Sequence, residues 1–259
     1  MSDPTLYDDE FFVGYHAAMP PRLRRFLRWL ALAIVLVAIV AVGGVALIQL
    51  PFAPAFFEFG LLRRFSGRIV ERPYPMLVVE RPGHAGLDAA VSQYLLVAEG
   101  KHGAQAIVAG LAGKPVEVSG SLIFRGNQTM IQVVAAKRSI ESTNPVQARP
   151  GPPQSLGDFT LDGELVDSKC YLGVMNPGAT TPHRGCAVRC LSGGTTPLFV
   201  IRDTRGTRVA LIPVSTAGAP LGREILGLVG EPLQVTGRVK REGDLLLLEA
   251  DPDMYRRLP

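Results

Sequence analysis

Two stretches of this chain repeat each other at a constant distance. GLAGKPVEVSGSLIFRGN begins at Gly110 and GLVGEPLQVTGRVKREGD at Gly227, an offset of 117 residues. Gly110, Leu111, Gly113, Pro115, Val118, Gly120 and Gly126 all meet identical residues, while Ser119 and Asn127 meet Thr236 and Asp244. Such a repeat constrains the fold strongly, because each copy has to form the same supersecondary unit. Each copy opens on a glycine in a β-rich segment, SGRIVERPYPMLVV from Ser66 and DGELVDSKCYLG from Asp162. A middle apolar run follows, YLLVAE near Tyr94 and LFVIRD near Leu198, then a short helical candidate, AIVAGLAG or REILGLVG. Each copy closes on a hairpin whose turn falls at Gly126-Asn127 or Gly243-Asp244.

The order is strand, strand pair, short helix, proline, strand with an internal glycine, hairpin. It predicts a mainly β protein built on a small Greek-key barrel that resembles the OB type, present twice by internal duplication. Glycine inside the strand suits a tight barrel bend. The expected barrel domains cover residues 60–142 and 159–259. Residues 143–158, TNPVQARPGPPQSLGD, hold Pro145, Pro150, Pro152 and Pro153. Such a run continues neither a helix nor a central strand, and it is expected to act as a semi-stiff linker.

Apolar residues make up 47% of the chain and charged ones 19%, more apolar than a typical soluble protein. The excess lies in WLALAIVLVAIVAVGGVALIQL, 22 uncharged residues from Trp29 to Leu50. About 20 apolar residues span a bilayer core, so residues 29–50 are expected to form one transmembrane helix. Arg22, Arg24, Arg25 and Arg28 precede it, and the positive-inside rule keeps residues 1–28 in the cytoplasm. The expected location is a bacterial inner membrane, single-pass, with both barrels in the periplasm. A cleaved signal peptide ending near Ala53-Pro54-Ala55 is the competing reading, but the apolar run is long for a signal core and an acidic tail precedes it. Phe52, Phe56, Phe57 and Phe59 follow the helix either as an interfacial anchor or as the start of a buried strand. Net charge is +4, with no Lys/Arg stripe interleaved with aromatics, which gives nucleic-acid binding no support. The lipid bilayer and other membrane proteins are the expected partners.

All three cysteines of the chain, with one histidine, lie between residues 170 and 190 as C-x12-H-x2-C-x3-C. On a helical turn His183, Cys186 and Cys190 share one face. Cys170, arriving from a strand end, completes a Cys3His set that suits zinc. Copper(I) is the other soft candidate, with Met175 as a further thioether ligand. Asp167 and Lys169 precede Cys170 on the strand end, where they are either solvated or set to orient His183 from behind. Tyr171 and Arg184 flank the ligands, and Lys169, Arg184 and Arg189 would favour thiolate wherever they approach a sulfur. Asn176-Pro177-Gly178 and Ser192-Gly193-Gly194 are turn punctuation, and His84 and His102 are solitary polar positions. The count and spacing exclude a covalent c-type haem, a Rieske cluster and a four-cysteine cluster.

Two other chemistries fit the same residues. In an oxidising compartment a disulfide could clip the segment onto the barrel. It would join Cys170 to Cys186 or Cys190, because residues four apart on a helix hold their Cβ atoms about 5–6 Å apart, against the roughly 3.5–4.5 Å a disulfide needs. A reversible redox pair lies between these two readings. The third chemistry is nucleophilic. His183-Arg184-Gly185-Cys186-Ala187-Val188-Arg189 resembles the His-Gly-Cys-x-Arg motif of L,D-transpeptidases, departing from it by the inserted Arg184 and by Ala187. That resemblance implies a cysteine nucleophile acting on the envelope. The combination DSKCYLGVMNPG…HRxCAxxC with an N-terminal apolar helix also resembles a group of uncharacterised bacterial membrane-anchored proteins, which implies that the segment acts as one unit. The expected role is accessory rather than enzymatic: a membrane-anchored protein whose second barrel carries a Cys/His metal or redox site for a membrane complex.

Overall fold

The computed structural model describes residues 19–49, 55–80, 91–126, 128–134, 140–142, 150–202 and 207–259. The expectations for residues 1–18, Phe52, His84, Asn127 and residues 143–149 lie outside the described residues. The chain divides into two units, Met1–Phe52 and Ala53–Pro259.

In the first unit, helix α1 runs from Pro21 to Gln49. Proline suits this first position, where its missing N–H costs nothing and its φ is already helical. The helix therefore starts well before Trp29, and the four arginines ride on its first turns rather than on an irregular tail. Its 29 residues rise about 44 Å, and its apolar part is long enough to cross a membrane. It is compatible with a single-pass anchor.

The second unit holds two closed five-stranded barrels. The first consists of β2 (Arg63–Val70), β3 (Met76–Glu80), β4 (Val91–Val97), α2 (Gln105–Val108), β5 (Pro115–Arg125) and β6 (Gln128–Val133). Pairing runs β2–β3–β4–β6–β5 and back to β2, with β4–β6 the one parallel contact. Strands β1 (Ala55–Phe57) and β7 (Ile140–Ser142) add to β5 from outside. Phe56 and Phe57 thus belong to a strand, whereas Phe59 is 83% exposed. The second barrel consists of β8 (Gln154–Asp167), β9 (Pro197–Arg202), β10 (Arg208–Val214), a 3-10 segment Arg223–Leu228, β11 (Leu233–Glu242) and β12 (Leu245–Glu249). It closes as β8–β9–β10–β12–β11–β8, again with a parallel pairing at the equivalent place, β10–β12. A last strand, β13 (Tyr255–Arg257), pairs with the start of β11.

The duplication is visible residue by residue. Leu95 stands opposite Met130 in the first barrel, and Ile212 opposite Leu247 in the second, all at the offset of 117. A Cβ on Gly120 would lie 2.4 Å from the Gln132 carbonyl oxygen, and one on Gly237 2.6 Å from that of Glu249. Only glycine lets these equivalent strands cross so closely.

Two expectations need correction. The run near Leu198 is β9, which corresponds to β3. The counterpart of the Tyr94 run is β10, around Leu211. Strand β9 reads as a continuous apolar run because both faces are buried. Phe199 enters its own barrel core, while Leu198 and Val200 face the first barrel. The linker also ends sooner than expected, because β8 begins at Gln154 and pairs with Arg241 of β11. The proline run does not hold the barrels apart. They share a core that includes Tyr74, Met76, Leu95 and Met130 from one side and Leu172, Leu198, Ile212 and Leu245 from the other. Hydrogen bonds cross the same boundary. The Tyr74 hydroxyl donates to Pro213 O (2.8 Å) and accepts from Leu221 N (3.0 Å).

Candidate metal centre

The second barrel departs from the first at one connection. Between β2 and β3 the first barrel has only residues 71–75, whereas residues 168–196 join β8 to β9. This insertion carries the cysteines and His183. Strand β8 ends at Asp167, whose Oδ1 accepts the Cys170 backbone N–H at 2.8 Å. A short carboxylate side chain can hold a free amide in this way, and the chain turns helical through Cys170–Val174. Gly178 reverses the chain at φ +65°, where a Cβ would meet the Cys170 carbonyl oxygen at 2.6 Å. A 3-10 turn, Thr181–His183, then leads into helix α3 (Arg184–Ser192). Cys186 and Cys190 lie one turn apart on α3, and His183 directly precedes it, as the spacing predicts.

The sulfurs of Cys170 and Cys186 are 3.8 Å apart. Tetrahedral Zn–S bonds of about 2.3 Å set sulfurs about 3.8 Å apart. A ring nitrogen of His183 lies within 4.8 Å of both sulfurs. A second group shares Cys170: its sulfur, the Cys190 sulfur and an Asp167 carboxylate oxygen also lie within 4.8 Å of one another. Asp167 Oδ2 contacts His183 Nε2 at 3.2 Å. With Nε2–H donating to the carboxylate, Nδ1 keeps its lone pair for a ligand. Asp167 is completely buried and His183 is 7% exposed, so solvent does not compete for this pair. Cys170, His183, Cys186 and Cys190 thus form a Cys3His cluster that could hold a metal. No two of the thiols are bonded to each other.

The buried thiols share a proton unequally. The hydrogen bond to Cys190, followed by burial, pushes the Cys170 thiol far up. The same hydrogen bond pulls Cys190 down, so Cys190 is the better thiolate of the pair.

A cation approaches from the other barrel. Lys101, in the connection after β4, places Nζ 2.7 Å from Cys186 Sγ and 3.9 Å from Cys190 Sγ. The bond to Cys186 holds its ammonium protonated. Lys169 is spent differently. It donates to Ala98 O (2.9 Å) and Gly100 O (2.7 Å), pinning that connection in place, and burial lowers its pKa. The seam continues at α3's end, where Gly103 N donates to Gly193 O at 2.9 Å. Sulfurs and lysines line an open cavity of about 490 Å³ together with Phe57, Phe59 and Met175.

Asp167, Lys169 and Met175 are therefore at the cluster, Met175 on the cavity wall. Tyr171 and Arg184 are not, because each faces another partner. The Tyr171 carbonyl accepts from Arg125 Nε at 2.6 Å, and its ring lies 4.6 Å beneath that guanidinium. Arg184 forms an ion pair with Glu231 and donates to Gly227 O at 3.2 Å. Lys101 escaped the sequence reading because it comes from the other barrel, with only glycines at 100, 103, 193 and 194 to signal the close approach. Compared with known proteins, the chain matches no family model, no curated protein and no solved structure.

Proposed function

We propose that the second barrel carries an exchangeable soft metal ion, zinc or copper(I), on Cys170, His183, Cys186 and Cys190, and that α1 tethers it to a membrane. The carrying observation is the 3.8 Å Cys170–Cys186 spacing beside a histidine oriented by a fully buried aspartate. An orienting carboxylate behind a histidine is the usual companion of a metal ligand. Four protein ligands fill a tetrahedral coordination sphere, so exchange here depends on access to the site rather than on a vacant position. The site opens on a cavity and has a lysine ammonium beside one sulfur, which supports loading and release. Lys101 then acts as the counter-ion of the empty site, and an incoming cation displaces it.

The arginines before the apolar run support a cytoplasmic N-terminus, with the barrels on the periplasmic side of a bacterial inner membrane. In that position the protein serves a membrane complex as an accessory metal carrier or redox partner. The resemblance to bacterial membrane-anchored proteins that share the DSKCYLGVMNPG…HRxCAxxC segment fits this role. Metal analysis of the full chain, purified in detergent under reducing conditions, tests the reading. Wild type should carry about one ion per chain at saturation, with sharp loss in His183→Ala and Cys190→Ser. Wild type that stays metal-free when reduced and offered zinc or copper(I) would overturn it. A disulfide-clipped scaffold would instead show two cysteines oxidised and indifference to His183→Ala.

A further inference from the structure

The Lys101–Cys186 contact carries more than charge. Its 2.7 Å lies at the short limit even of N–H···O hydrogen bonds, about 2.7–3.2 Å, although sulfur is a larger atom than oxygen. The separation is close to what a single oxygen bonded to both atoms would impose. The Lys101 side chain is exposed, and what is fixed is the backbone that carries it. Its carbonyl packs against Gly193, where a Cβ would come within 1.9 Å of it. The Gly100 carbonyl just before it accepts from Lys169 at 2.7 Å. Cys186 is half-buried, whereas Cys170 and Cys190 are buried, so Cys186 is the thiol that an oxidant reaches first. Its helical neighbour Cys190 is poorly placed to trap it as a disulfide, because Cβ atoms four residues apart sit about 5–6 Å from each other, and Cys170 Sγ, the competing thiol at 3.8 Å, stands farther from Cys186 Sγ than Lys101 Nζ does at 2.7 Å.

We propose that Lys101 and Cys186 form a reversible nitrogen–oxygen–sulfur cross-link, and that this is the oxidised state of the site. The balance is R–NH2 + HS–R′ + O2 → R–NH–O–S–R′ + H2O. Nitrogen and sulfur each lose one hydrogen and two electrons. One atom of dioxygen becomes the bridge, and the other leaves as water with both hydrogens. Written from amine plus thiol, the balance needs no further proton donor. The bridge would cap one of the four metal ligands and staple the connection after β4 to α3. This regulatory part rests on the metal reading: oxidation prevents loading, and reduction restores it.

The test uses the full chain in detergent, stripped of metal by a chelator and divided between anaerobic and air-exposed samples. Peptide mass mapping of the air-exposed sample should join the Lys101 and Cys186 peptides, with one oxygen gained and two hydrogens lost. Dithiothreitol should reverse the link. Lys101→Arg, which keeps the charge but lacks the amine, and Cys186→Ser should not form it. Zinc or copper(I) uptake should fall in proportion to the bridged fraction. The inference is overturned if air-exposed wild type shows Lys101 unmodified, with Cys186 as free thiol, as sulfinic acid, or as a disulfide to Cys170. A bridge in a protein that never takes up metal would reject the metal reading and leave the cross-link standing. Metal uptake without a bridge would do the reverse.

Discussion

Replacing Gly193 with alanine would place a methyl group 1.9 Å from the Lys101 carbonyl oxygen, a contact that real side chains keep at 3.0 Å or more. The obstacle is backbone, so no rotamer relieves it. The connection after β4 and the end of α3 have to separate by over 1 Å. Two inter-barrel hydrogen bonds depend on their closeness, Gly103 N to Gly193 O at 2.9 Å and Gln105 Nε2 to Gly194 O at 2.7 Å. Each contributes about 0.5–1.5 kcal/mol, and lost packing brings the total to about 2–4 kcal/mol. At about 2–4 °C per kcal/mol, the melting temperature of the barrels should fall by about 4–16 °C. Gly185→Ala is the internal control. It lies in the first turn of α3, the helix that Gly193 caps, with nothing within 4 Å of a new Cβ. Alanine there should stabilise by about 0.5–1 kcal/mol through helix propensity. Thermal unfolding of the full chain in detergent, followed by circular dichroism, reads both. Equal melting temperatures for Gly193→Ala and wild type would refute the claim that this seam is held by direct backbone approach.

Gly120→Ala and Gly237→Ala should each cost about 1–3 kcal/mol from overpacking, and by similar amounts, since equivalent carbonyls block both positions; denaturant unfolding that tolerates one and not the other would contradict the equivalence. Asp167→Asn keeps the shape of the side chain but weakens its hold on His183, and it should loosen metal binding about 10–100-fold in chelator competition. Burial raises the pKa of Glu242, so its proton is bound more tightly in the folded protein. That contribution to stability is present below the ordinary glutamate range and is lost as pH rises through the folded value. Glu242→Gln should therefore unfold later than wild type at pH 7 and converge with it near pH 4, and a Gln variant weaker at pH 7 would reverse the sign.

The barrels were legible because glycine, proline and the hairpin turns recur at one offset, and these are the positions where backbone geometry leaves least choice. The strand match in the middle went wrong for a related reason. β9 is buried on both faces and so looked like the strongest apolar run, whereas β10 carries Pro213 and reads weakly. The candidate ligands showed in their spacing, and of the two readings open for Asp167, solvated or orienting His183, the structure has it buried against His183. Tyr171 and Arg184 sit beside ligands in the chain, yet their partners, Arg125 and Glu231, come from distant segments. Adjacency in sequence carries no information about such partners. Lys101 illustrates the opposite case, 85 residues from Cys186 and brought to it only by the packing of one barrel on the other.

The central claim is that three sulfurs and one imidazole nitrogen converge on one ion. X-ray absorption at the metal edge of the loaded full-length protein reads this directly. The account predicts sulfur scatterers at about 2.3 Å and a histidine nitrogen at about 2.0–2.1 Å for zinc, with the sulfur number falling by one in Cys190→Ser. A shell of oxygen and nitrogen alone, or a spectrum unchanged by Cys190→Ser and His183→Ala, would contradict it.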